Sequence, residues 1–244
     1  MLAIGQRKSS PLTTQKWKTI PWRVKPKSAK DKLMDILLDI PYLMEQLTAM
    51  QSCAFFAASE TVRRKLIGAC EVVEAALNRW GLDAGMEILR FDSTAIGLPL
   101  PTPLGGGEFV LVHLSIIYWF IGMMLGSIKS VVLRPSPLAD IETLQVEALA
   151  EKCANAIPLL FEASAGLSEN MSGLMALSIC LRYFTVMEGV GRESEGKRTL
   201  LHLLDRDLIG SSVGKLLKRM NGDTDVLQAL HQGNTDPARP LGWF

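Results

Sequence analysis

Apolar positions recur along this chain at three- and four-residue intervals, and no stretch shows the strict alternation of a half-buried strand. Leu33, Ile36, Leu37 and Ile40 predict a helix with one buried face. Ser28 and Asp31 stand three apart at its start, the spacing of a capping box, where each side chain accepts from the other's backbone N–H. Asp31, Asp35 and Asp39 fall on the opposite face. Asp31 answers to the helix N-terminus, and the other two to solvent rather than to a metal. Pro41 ends this helix and opens the next, because a helix tolerates proline in its first turn.

The most regular pattern follows a cap at Ser59: Val62, Leu66, Ala69, Val73, Ala76 and Trp80, with Gly81 as the stop. Residues 92–108 hold Pro99, Pro101, Pro103 and the glycines 105–107, and read as a connection. Beyond Pro135 and Pro137, the positions Ile141, Leu144, Ala148, Leu149, Ile157 and Leu160 mark a helix that Pro158 bends. Met171–Met187, Leu200–Leu208 and Val213–Met220 complete the periodic part. Residues 221–244, rich in Gly, Asp, Asn and Pro, read as a flexible C-terminal tail.

Phe109–Ile128 breaks the amphipathic rule, since it carries no formal charge and is apolar all round. A helix of that length, about 30 Å, is either the centre of a core or a membrane span. Lys129 and Arg134 flank it, and Gly122 and Gly126 allow close helix approach in either setting. Tyr118 and Trp119 decide for the core. They sit halfway along, where a membrane span disfavours rings that carry a polar atom. The flanking amphipathic helices also need an apolar surface to cover. The expected fold is all-α: about seven helices in a single bundle around a buried central helix, 109–128. A basic extended arm, 1–28, precedes a helical domain, 29–220.

Charge adds an asymmetry. Of 26 basic and 25 acidic side chains, nine basic and one acidic lie in the first 32 residues, leaving 17 and 24 in the rest, a net of −7. Trp17 and Trp22 interleave with the lysines of the arm. That mixture suits nucleic-acid contact, but the expectation here is an arm that buries both indoles and turns its charges to water. Cys53, Cys70, Cys153 and Cys180 form no C-x-x-C pair and suit a reducing compartment.

Motifs for chemistry fail on inspection. Gly191–Lys197 resembles the start of a phosphate loop, but Arg198 stands where Ser or Thr should bind magnesium, and Glu193 and Glu195 would repel phosphate. A turn capping a helix is the expectation. His113, His202 and His231 are widely separated, with no acidic or cysteine cluster at metal spacing. No catalytic, cofactor-binding or metal-ligating residue is assigned, no cofactor is implied, and an enzyme is not expected.

Trp17-Lys18-Thr19-Ile20-Pro21-Trp22, then Pro26-Lys27-Ser28, Asp31–Leu37 and Ile40-Pro41, resemble a recurrent stretch of fungal binuclear zinc-cluster (six-cysteine) transcription factors, in their helical regulatory region. Tyr118-Trp119 in an apolar helix is similar too, and the likeness spans residues 15–220. The six-cysteine DNA-binding motif has no counterpart here, so none of its residues carries over, and the chain looks like the C-terminal part of such a regulator. The resemblance implies a nuclear module (the alternative is cytoplasmic), of the kind tied to secondary-metabolite gene clusters. Such a module contacts protein partners through helical surfaces, leaves room for a small effector or a homodimer, and does not by itself bind DNA sequence-specifically. The alternatives are a single-span membrane protein using 109–128 and a helical enzyme of unknown chemistry.

Overall fold

The computed structural model describes residues 9–52, 60–85, 105–134, 136–162, 165, 167–188 and 194–204. Cys53, Ser59, His231, residues 92–104, the helix expected at Val213–Met220 and the tail 221–244 lie outside them. Among the described residues there is no strand, and the fold is all-α. The helices are α1 (Gln15–Thr19), α2 (Ala29–Leu37), α3 (Ile40–Ser52), α4 (Glu60–Trp80), α5 (Gly106–Leu133), α6 (Leu138–Ala156), α7 (Leu167–Glu188) and α8 (Glu195–Leu204). Their contacts fall into two units. One holds the described residues of Met1–Leu89 and Ile121–Ala148, and the other those of Arg90–Phe120 and Leu149–Trp243. The long helix α5 therefore contributes its second half to the first unit and its first half to the second.

In the first unit, α2 starts as its sequence requires. Ser28 Oγ accepts from Asp31 N, and the Asp31 carboxylate accepts from Ser28 N and Oγ, closing the capping box. Those hydrogen bonds hold the Asp31 carboxyl below its ordinary pKa. Leu33, Ile36, Leu37 and Ile40 are buried as expected, and α3 opens with Ile40-Pro41. Both α2 and α3 pack on α4. The Trp80 indole N–H donates to Ala29 O at 2.8 Å, tying the end of α4 to the start of α2.

The buried face of α4 is Leu66, Cys70, Val73, Leu77 and Trp80. Ala69 and Ala76, expected in that stripe, are only half-buried, and Val62 is exposed. The larger side chains one position on take the interface, because they fill more of the space facing the neighbouring helices. Gly81 does not stop the chain's helical path either; a wider π-type turn, Gly81–Gly85, continues it.

The central helix is longer than 109–128. Gly106, Gly107 and Glu108, placed by their glycines in the preceding connection, form its first turn. The carboxylate of Glu108 complements the positive end of the helix dipole, and that offsets the poor helix propensity of the glycines. At the other end the last turn carries no cation of its own. Arg63 of α4 supplies one: its guanidinium donates to Val132 O at 2.6 Å and to Arg134 O at 2.9 Å. At Gly126 α6 comes close, since a Cβ there would lie 2.6 Å from Val146 Cγ2.

In the second unit, Trp119 is buried and Tyr118 half-buried, so the rings halfway along α5 are covered, Trp119 the more completely. Burial pushes the Tyr118 phenol pKa up. Pro158 ends α6 at Ala156 and starts a 3-10 turn, Ile157–Phe161. That turn packs on α7 and α8. Gly173 meets it closely, with the Phe161 ring 2.8 Å from where a Cβ would stand.

Candidate functional site

The N-terminal arm is not extended. Pro11–Thr13 and Ile20–Trp22 are 3-10 turns on either side of α1, because each proline stands first or second in its turn, where no backbone N–H is needed, and cannot sit inside a long helix. Nor are both indoles buried. Trp17 is 55% exposed, whereas Trp22 is half-buried with the Lys27 ammonium 5.7 Å from its ring centroid.

Ion pairs, rather than indole burial, pin the arm. Lys18 Nζ reaches both Asp39 oxygens at 2.6 and 2.8 Å, and Lys27 pairs with Asp35. Asp35 of α2 and Asp39 of the turn between α2 and α3 are therefore the arm's anchors, not members of a solvated face. Ser9 adds a third tie, to Glu45 of α3.

A second polar cluster was not visible as such in the sequence. Lys129 lies inside α5 rather than beyond it, with 12% of its side chain exposed. It pairs with Glu74 of α4 at 3.0 Å and Glu142 of α6 at 2.5 Å. Burial alone would lower its pKa; the hydrogen bonds and charges of Glu142 and Glu74 outweigh that and raise it. The ammonium is thus held protonated, so it serves neither as a nucleophile nor as a base. Cys70 lies near the same charges, where burial pushes its thiol up to about 12. A thiol that stays protonated is not a nucleophile at neutral pH. The cluster joins three helices. The sequence clue was a lone cation continuing an uncharged run, with acids on the two flanking helices.

The remaining candidates stay dispersed. His113 is half-buried on α5 and His202 is exposed on α8. Among the described residues, no three His, Cys, Asp or Glu side chains group as a metal site would require. Of the segment resembling a phosphate loop, residues 191–193 lie outside the described residues, and Ser194 caps α8, its Oγ accepting from Lys197 N at 3.1 Å. Lys197 is buried rather than turned to a ligand, and Gly196 sits under Phe184, 2.9 Å from where its Cβ would be. Cys153 and Cys180 are fully buried in the second unit, and a hydrogen bond to Cys180, then burial, raises the Cys153 thiol pKa.

One surface feature contradicts the sequence pattern. Ile141 and Leu144, expected in the core, are 51% and 65% exposed, as is Leu138 at 55%. The face of α6 that meets α5 carries Glu142 and Val146 instead, so the large apolar residues form an exposed stripe on the other side.

No family model, curated protein or solved structure matches the chain.

Proposed function

We propose that this chain is a helical regulatory module of the kind found in fungal zinc-cluster transcription factors, acting in the nucleus through protein partners and without catalysis. The observation that carries the reading is the Trp17–Pro41 segment, whose residues bear the resemblance. Its prolines, capping box and lysine–aspartate pairs also work as one folded piece: Lys27 clamps it to Asp35 of α2 and Lys18 to Asp39 of the turn that follows. The exposed stripe Leu138, Ile141 and Leu144 supports partner contact, as an apolar helix face of this size is what a partner's amphipathic helix covers. The partner role leaves DNA sequence recognition to another chain or segment.

The test is a fusion of the whole chain to a heterologous DNA-binding domain. Reporter transcription should change relative to that domain alone, and Leu144→Glu with Ile141→Lys should abolish the change while leaving the far-UV circular dichroism intact. Tight, sequence-selective binding of DNA by the unfused chain in a gel shift would overturn the reading.

Membrane insertion of α5 is the competing reading, since this helix is long and apolar enough to cross a bilayer. Two observations weigh against it: 72% of its most apolar window is buried, and Lys129 in its second half is committed to two carboxylates. Carbonate extraction separates the two readings, with release to the supernatant expected.

A further inference from the structure

Asp35 lies in the last turn of α2 and Asp39 in the turn that joins α2 to α3, and they hold Lys27 and Lys18 respectively. The chain between the two lysines is therefore a loop closed by two ion pairs at the end of α2. Its tip is Arg23, Val24 and Lys25, all exposed, Val24 at 98%. Lys16 and Trp17 precede the loop, and Lys30 and Lys32 follow it on the first turns of α2, all four exposed. The two clamping lysines are already neutralised. Five exposed cations and one exposed indole thus lie within this loop or next to it along the chain, and Lys30 and Lys32 stand at the positive end of a helix dipole, where cations disfavour the helix itself.

We infer that this loop, with Lys16, Arg23, Lys25, Lys30 and Lys32 meeting phosphates and Trp17 stacking on an unpaired base, is a contact surface for single-stranded nucleic acid. Charge complementarity selects a polyanion, and the bare ring beside the lysines selects one with accessible base faces over an acidic peptide or a lipid headgroup. Lys27, lying over Trp22, keeps that second indole occupied and leaves Trp17 as the stacking platform. The surface is independent of the regulatory reading, and neither requires the other.

The experiment is fluorescence anisotropy of a labelled oligothymidylate titrated with the full chain at 50, 100 and 200 mM salt. The expected result is weak binding that falls with salt, log K against log salt sloping at about −2 to −4 for three to five phosphates neutralised. Arg23→Glu with Lys25→Glu should weaken it at least tenfold. Trp17→Ala should weaken the single strand more than a duplex of the same length. The control pair Lys65→Glu and Arg79→Glu, exposed on α4, should leave binding unchanged. No binding of the wild-type chain at 50 mM salt would overturn the inference. So would binding indifferent to the loop substitutions, or a preference for polyglutamate or phosphatidylserine vesicles over the oligonucleotide at equal charge.

Discussion

The guanidinium of Arg63 donates through Nη2 to the backbone carbonyl oxygen of Val132 at 2.6 Å, and through Nε to the same oxygen at 3.1 Å. A side chain from the first turn of α4 thereby satisfies the end of α5, which has no cation in its own last turn. Arg63→Ala leaves those carbonyls to water and removes a charge-assisted pair, so unfolding in urea should show a loss of about 1–2 kcal/mol. Arg63→Lys, which lacks the fork, should recover only part of it.

Lys129 bridges two carboxylates from different helices, and its removal leaves Glu74 and Glu142 facing one another. Lys129→Met alone should cost about 3 kcal/mol, as for other pairs broken away from water. Adding Glu142→Gln should recover much of that loss, because the remaining acid is the more exposed one. The pH dependence has a definite sign. Because folding raises the lysine pKa, its contribution is complete below the ordinary value of 10.5 and fades as pH climbs through the raised one. Wild type and Lys129→Met should therefore converge in stability only in strongly alkaline solution, which urea titrations at pH 9 and 11 would reveal.

At Gly126 the constraint is steric. A methyl group there would stand 2.6 Å from Val146 Cγ2, so α5 and α6 must separate or a rotamer must give way. Gly126→Ala should destabilise by about 1–3 kcal/mol. In a double-mutant cycle with Val146→Ala, the paired variant should be more stable than the sum of the single losses predicts. A strictly additive result would place the contact elsewhere.

Ser28 and Trp80 act on the same helix start. Ser28→Ala removes the cap and should cost about 1 kcal/mol. Trp80→Phe keeps the ring volume in large part but loses the bond to Ala29 O, for about 1 kcal/mol beyond packing. Differential scanning calorimetry of both variants and their combination would show whether the two losses add.

Cys70, Cys153 and Cys180 are fully buried, and burial pushes Cys70 up to about 12. In a Cys53→Ser background at pH 8, an aromatic disulfide reagent should label no thiol in the folded protein and three in denaturant. Labelling before unfolding would mean that the packing around α4, α6 or α7 opens locally.

What the amino-acid order determined by itself was local. The capping box at Ser28 and Asp31, the burial of Leu33, Ile36, Leu37 and Ile40, and a break at Pro41 and at Pro158 all depend on backbone geometry within a turn or two, so a few neighbouring residues suffice to specify them. That α2 already stops at Leu37, with Ile40 opening α3, and that Pro158 ends α6 in a 3-10 turn instead of bending it, was not legible there. The apolar character of 109–128 identified a helix needing cover on every side, and Trp119 is indeed covered. Tertiary structure decided everything that depends on a partner. Periodicity cannot separate Ala69 from Cys70, or Ala76 from Leu77, because adjacent positions differ by only 100° around a helix and the facing element chooses between them. The same limit put Ile141 and Leu144 inside when Glu142 and Val146 face α5. Asp35, Asp39 and Lys129 looked like solvated or flanking charges because their counterions are 8, 21 and 13 to 55 positions away. Only folding brings such charges within range of one another, and that is why the arm's clamp and the buried cluster are properties of the fold rather than of any one stretch of chain.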